Sequence, residues 1–164
     1  AGFWVRPIEP QTKRCFIKGW QRPDPELPPG TIEQRGRDYP CFGIALVMGS
    51  PLPDGTRLAA LDVDCNEYVR VAKAILGDPP CGRFGSKGAV FFIRTTNGIK
   101  NRKFKVKEAK GKTGKSSQPI VELLSERCLC VIPPTIHPIT KQPYSWLGPS
   151  LLEIDPTSLP LVTE

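Results

Sequence analysis

Histidine and methionine are almost absent from this chain, which has one of each, His137 and Met48, among 164 residues. A lone imidazole argues against a serine-hydrolase triad and a histidine-rich metal site. The six cysteines, at 15, 41, 65, 81, 128 and 130, contain no Cys-x-x-Cys pair. With one histidine to complete a set, a structural zinc lacks its ligand spacing, and reduced, mostly buried thiols are expected. No apolar run reaches membrane-spanning length, and the opening Ala1-Gly2-Phe3-Trp4-Val5-Arg6 has neither the basic end nor the long apolar centre of a signal peptide. A soluble, cytoplasmic protein is therefore expected. Internal repeats and low-complexity tracts are also missing, and the proline patch from Pro23 to Pro29 is too short and irregular for a polyproline recognition segment. No initiating methionine is present, so a fragment of a longer protein is expected.

What is there fits one domain with a real core. The formal net charge is +7, and its distribution matters more than its size. Between Arg83 and Lys115 stand eleven Lys or Arg against the single acid Glu108, whereas the rest of the chain holds twelve basic and fifteen acidic residues. Such a segment attracts a polyanion, with Lys100, Arg102, Lys103, Lys105, Lys112 and Lys115 as candidate DNA contacts; a solubilising loop is the alternative.

The apolar run Leu58-Ala59-Ala60-Leu61 leads into Asp62-Val63-Asp64. In a β-strand the period of two sends both carboxylates to one face, where their repulsion is relieved by a divalent cation or a shared proton. Hard oxygen ligands suit Mg²⁺ or Mn²⁺. The alternative makes Asp64 an N-cap of the helix expected over 66–76, with Asp62 merely solvated.

Around this pair the pattern is mostly strands. Residues 1–40 read as an irregular, loop-dominated opening, and Phe42–Val47 as a strand pairing antiparallel with the one that carries Asp62. In the helix, apolar residues at 68, 71, 72, 75 and 76 are spaced for one face, and Gly77-Asp78-Pro79-Pro80 ends it. Further strands are expected at 89–93, 104–107, 120–124 and 128–132, with two short ones at 144–147 and 151–154. The order predicts an α+β domain, its antiparallel or mixed sheet flanked by helix.

Gly111-Lys112-Thr113-Gly114-Lys115-Ser116 imitates a phosphate loop but has Ala109 where the first glycine is required, so a basic hairpin tip is the better use of it. Arg83-Phe84-Gly85-Ser86-Lys87-Gly88 is a second glycine-rich basic turn, with donors and charge suited to a triphosphate. Glu122, inside Ile120-Val121-Glu122-Leu123-Leu124, needs a metal, a cation or an exposed strand face. His137 sits in the proline-stiffened Val131-Ile132-Pro133-Pro134-Thr135-Ile136-His137-Pro138, fit to meet a phosphate or base and equally compatible with a structural turn.

In joint order, these pieces resemble the catalytic domain of bifunctional primase-polymerases in the archaeo-eukaryotic primase superfamily. The resemblance runs over residues 5–147: Lys18-Gly19-Trp20, the acid pair through Asn66, Gly85-Ser86-Lys87-Gly88 into Phe91-Phe92-Ile93-Arg94, Val121-Glu122-Leu123, and the Pro133–His137 segment followed by Tyr144-Ser145-Trp146. It implies a fold related to RNA-recognition modules and template-directed nucleotidyl transfer, by a DNA primase, a DNA polymerase or both. Asp62, Asp64 and Glu122 would hold two divalent metals, and Arg83, Ser86, Lys87 and His137 would contact a dNTP or rNTP. It further implies a DNA template and primer, a helicase in the same chain or complex, and a single domain over 1–164 at the N-terminal end of a bacterial, phage, plasmid or mobile-element replication protein. One departure stands out: where the family follows its glycine turn with a triphosphate-binding histidine, this chain has Ala89 and Val90. Nucleotide binding then rests on Lys87, Arg83 or His137, or catalysis is weakened or lost. A DNA-binding or origin-recognition module without chemistry is the rival expectation.

Overall fold

The run that carries Asp62 becomes a central strand because both of its faces are buried. In the computed structural model, which describes residues 2–22, 30–40, 42–105 and 119–163, this strand is β3 (Arg57–Val63). It pairs antiparallel with β5 (Ala89–Thr95) on one side and β7 (Pro119–Leu124) on the other. The larger sheet is completed by β4 (Gly82–Phe84), β6 (Arg102–Lys105), β9 (Ser145–Leu147) and β10 (Leu161–Val162), in the order β6-β7-β3-β5-β4-β9, with β10 parallel to β5. A second sheet orders β1 (Val5–Ile8), β2 (Gly43–Val47) and β8 (Leu129–Ile132) as β1-β2-β8, all antiparallel. The fold is α+β and mostly strands, as the sequence predicts.

One face of the larger sheet, through Leu58, Ala60, Val90 and Phe92, packs on Leu46, Met48 and Cys130 in the principal core. The other face, through Val63, Ala89 and Phe91, is covered by helix α2 (Asn66–Ile75). Burial of side chains such as Phe92 and Leu58 stabilises the domain by about 1.5–3 kcal/mol each.

Five expectations change. The described part of residues 1–40 is more regular than its composition implies, containing β1 and the helix α1 (Thr31–Asp38). Strands β2 and β3 do not pair as a hairpin. Gly49, at a φ of 93°, turns the chain from one sheet into the other, leaving the Gly49–Leu58 and Leu58–Ser50 backbone bonds, both 2.8 Å, a Leu52–Thr56 bond at 2.9 Å and one bridge between Pro51 and Arg57. The helix buries Ala72, flanked by Val69 and Leu76, whereas Tyr68, Val71 and Ile75 are exposed, because its sheet-facing side runs through positions spaced three and four apart from 69. Residues 151–154 form turns between Gly148-Pro149 and Asp155-Pro156, and the last strand is β10. Of the five described cysteines, all free thiols, only Cys81 and Cys130 are buried. The 106–107 end of the strand expected at 104–107 lies outside the described residues.

Candidate active site

Strand register assembles the site. Asp62 is directly opposite Glu122 on β7 and Val90 on β5. Glu122 in turn faces Lys103 on β6, while Val90 faces Arg83 on β4, which is paired with Trp146 on β9. Directly paired residues project to the same face. Lys103, Glu122, Asp62, Val90, Arg83 and Trp146 therefore form one transverse row across six strands, on the face turned to the smaller sheet. Asp64 lies two residues beyond Asp62, where its N–H continues the ladder to the Ile120 carbonyl at 2.8 Å. It is not a helix cap: that position is Cys65, which makes no side-chain capping bond.

Cations flank the acids. The Lys103 ammonium is 3.0 and 3.1 Å from the two Glu122 oxygens, and that of Lys87 is 3.9 Å from Asp64. Burial raises the Asp62 carboxyl above the ordinary carboxylate range; Arg83 and Lys13 pull it down, while Asp64 and Glu122 push it up.

Beyond Val90 the row continues to Arg83, which stands beside Tyr144. The Arg83 guanidinium lies over the Tyr144 ring at 4.5 Å, and Tyr144 meets the His137 ring edge-on at 5.1 Å. Arg83 and Tyr144 are buried, yet Arg83 Nε and the Tyr144 hydroxyl have no hydrogen-bond partner among the described residues. Buried polar atoms left unpaired in this way are costly, and they mark strained or functional places. His137 Nδ1 accepts from the N–H groups of Ile139 and Thr140, both at 3.2 Å, so the neutral ring carries its proton on Nε2. Burial, with Lys13 and Arg83 nearby, lowers its pKa and holds it in that donor form at neutral pH. Thr135 anchors the turn to β2, its hydroxyl accepting from the Ile44 N–H at 2.6 Å.

Over residues 1–161 the sequence matches the family described as bifunctional DNA primase/polymerase, N-terminal. The chain belongs to that family. No curated protein matches it. Membership supports a DNA primase/polymerase function in general and implies DNA and nucleotide substrates. Enzymes of the family are in general dependent on a divalent metal. Among the described residues no helix is long and apolar enough to cross a membrane.

Within the family's frame, the structure brings Asp62, Glu122, Arg83 and Lys103 into one row, with Asp64 and Lys87 beside it past the end of β3 and His137 against Tyr144. Ser86 and Lys87 are exposed in the β4–β5 turn. That turn is clamped to the end of β3: Gly88 donates to Asn66 Oδ1 at 2.6 Å, and a Cβ on Gly88 would stand 1.7 Å from the Val63 carbonyl oxygen. Lys100, Arg102 and Lys105 are exposed along β6 and its approach, whereas Lys103 is committed to Glu122. Lys112, Lys115 and the 111–116 loop lie outside the described residues.

Three residues were missed. Lys13 is close enough for its charge to act on Asp62 and His137, Tyr144 carries Arg83, and Asn66 holds the glycine turn. Lys13 has no signal in the sequence, whereas Tyr144 lies inside the motif already singled out.

Carboxylate oxygens are the donors that a hard divalent cation takes. Among the described residues no three of Asp, Glu, His and Cys are grouped so that they could hold a metal ion by themselves. A hard cation such as Mg²⁺ uses one or two carboxylates, keeps waters and takes its remaining ligands from substrate phosphates; Asp62 and Glu122, paired on neighbouring strands with Asp64 beside them, are the acids that the structure brings together.

Proposed function

We propose that the domain transfers nucleotides onto a primer strand, or starts one, under the direction of a DNA template. The observation that carries this is the pairing of Asp62 with Glu122 on neighbouring strands, with Asp64 just past the strand end. Asp62, Asp64 and Glu122 are the residues that would hold two divalent ions, Mg²⁺ or Mn²⁺. When bound, such ions activate the 3′-hydroxyl and stabilise the leaving pyrophosphate. The protein's own part is placement and charge. Lys87 and Ser86, exposed on the clamped glycine turn, are positioned to meet the triphosphate. Arg83 and the neutral His137 supply further donors, the arginine standing beside the row position that Val90 leaves apolar. Lys100, Arg102, Lys105, Lys112 and Lys115 take the DNA backbone, and Lys103 joins them when it releases Glu122.

Residues 1–164 act in this reading as one catalytic domain. Its setting is cytoplasmic phage, plasmid or mobile-element replication, with a helicase in the same chain or complex; the resemblance of the motifs is the support for that setting.

Template-directed incorporation with Mg²⁺ or Mn²⁺ tests the assignment. Asp62→Ala/Asp64→Ala is expected to lower the rate at least about a hundredfold, since metal stabilisation of the transition state is worth several kcal/mol. Unchanged activity overturns it. The rival module without chemistry draws its support from Val90, buried in mid-row where no hydrogen bond can be donated. Its signature is steeply salt-dependent DNA binding without incorporation at any metal concentration.

A further inference from the structure

Strand β9 pairs with β4 through Trp146 opposite Arg83 and Ser145 opposite Phe84. The next step in that register sets Tyr144 across from Gly85, the first glycine of the β4–β5 turn. Its side chain then lies on the face of Arg83, one diagonal step away, within reach of an aromatic ring. Gly85 gives that ring its room: a Cβ there would stand 2.7 and 3.1 Å from two carbons of Tyr144. Backbone freedom is not what the position asks for, since Gly85 is not among the glycines with positive φ. An aromatic side chain laid over a cross-strand glycine is a known way of closing such a gap. The ring is fixed from behind as well. Its backbone N–H donates to the Thr135 carbonyl at 2.9 Å, Ile136 bridges to Pro143, and the residue is 3% exposed.

One ring thus touches the Arg83 guanidinium at 4.5 Å, the His137 ring at 5.1 Å and the glycine turn that carries Ser86 and Lys87. Arg83 is buried, yet among the described residues it forms no ion pair. A carboxylate in contact would fix this cation and also neutralise it. A π face fixes it and leaves its charge for an anion. Tyr144 also packs with Ile8, Ala45 and Val131, but core filling alone explains neither the cation on its face nor the glycine opposite. From the contacts with Arg83 and Gly85, we propose that Tyr144 is a positioning residue for the incoming nucleotide. Its ring aims the guanidinium and seats the glycine turn, so the triphosphate meets donors already in place, and little binding energy goes into ordering them. This inference rests on the primase-polymerase reading and adds to it the residue that organises the nucleotide's donors.

The full chain would be titrated with a fluorescent dNTP and a fluorescent rNTP in the presence of Mn²⁺. In parallel, KM and kcat would be measured by template-directed incorporation, with thermal melting confirming that each variant folds. Tyr144→Leu removes the π face and keeps most of the volume; affinity is expected to fall and KM to rise about tenfold, with kcat changed less than about twofold. Gly85→Ala pushes the ring off its seat while leaving Tyr144 itself in place, and is expected to shift affinity the same way even if Tyr144→Leu does not fold. Tyr144→Phe keeps the ring and is expected to restore affinity to within about threefold of the parent. It should melt at or above the parent, because a buried hydroxyl without a partner among the described residues is gone. Parent-like affinities in both Tyr144→Leu and Gly85→Ala overturn the inference. So does a Tyr144→Phe as weak as Tyr144→Leu, which makes the hydroxyl the contact, and so does a parent chain that binds neither nucleotide. If incorporation depends on Asp62 and Asp64 while these affinities do not move, the positioning role alone has failed. If the affinities shift as expected but Asp62→Ala/Asp64→Ala leaves incorporation intact, the catalytic reading has failed and the positioning role stands.

Discussion

Asp62 sits where a carboxylate does not want to be. Burial and two acidic neighbours raise its pKa, so the ionised form is penalised in the folded chain relative to the unfolded one. The sign of the linkage follows: the penalty is absent below the ordinary carboxyl value and grows as pH rises through the raised one. Asp62→Asn is therefore expected to stabilise the domain by about 1 kcal/mol at pH 7, as relief of strained functional sites commonly does, and to lose that gain in acid. Thermal melts of both chains between pH 3 and pH 8 check this; a variant less stable than the parent at pH 7 contradicts it. At this scale the acids were legible. Period two puts Asp62 and Asp64 on one face without knowledge of the fold, and Glu122 stands out as a charge in an apolar run. Lys13 and Tyr144 were not, because what gives them meaning is which distant side chain they face.

The β4–β5 turn shows what one element demands of its residues. Gly88 has a φ of 60°, and its missing side chain lets the turn close against the Val63 carbonyl beside Asp64. Gly88→Ala combines left-handed backbone strain with a clash against backbone that cannot swing aside, for an expected loss of about 3 kcal/mol. Urea unfolding reads that loss, and a midpoint equal to that of the parent chain would refute it. Strands β5, β7 and β8 were readable because their apolar runs have the length of buried strands. Partners were not. Nothing local tells β2 to join β1 and β8 rather than β3, since that choice is made by Gly49 and by which faces can be buried together. The helix was found but its face was misjudged, because Tyr68, Val71 and Ile75 have the same spacing as the side that Ala72 buries.

On the scale of the molecule, two sheets share a core, and the acids stand on the face between them while Lys100, Arg102, Lys103 and Lys105 lie on and beside the edge strand β6. With a net charge of +7, DNA binding is expected to be dominated by counterion release. Replacing Lys100 and Lys105 by Gln should lower the slope of log affinity against log salt by about 0.7 per lost contact on single strands, with little change in sequence preference. Titrations between 50 and 200 mM salt measure it, and an unaltered slope removes these lysines from the interface. The transverse row has one more consequence. Its members come from positions 62, 83, 90, 103, 122 and 146, each on a different strand, so no single strand or hairpin contains it. Pairings that distant form slowly and late, and a nascent chain still short of Trp146 cannot assemble the full row. The row is thereby complete only once β9 has docked on β4, more than eighty residues after the first of its acids.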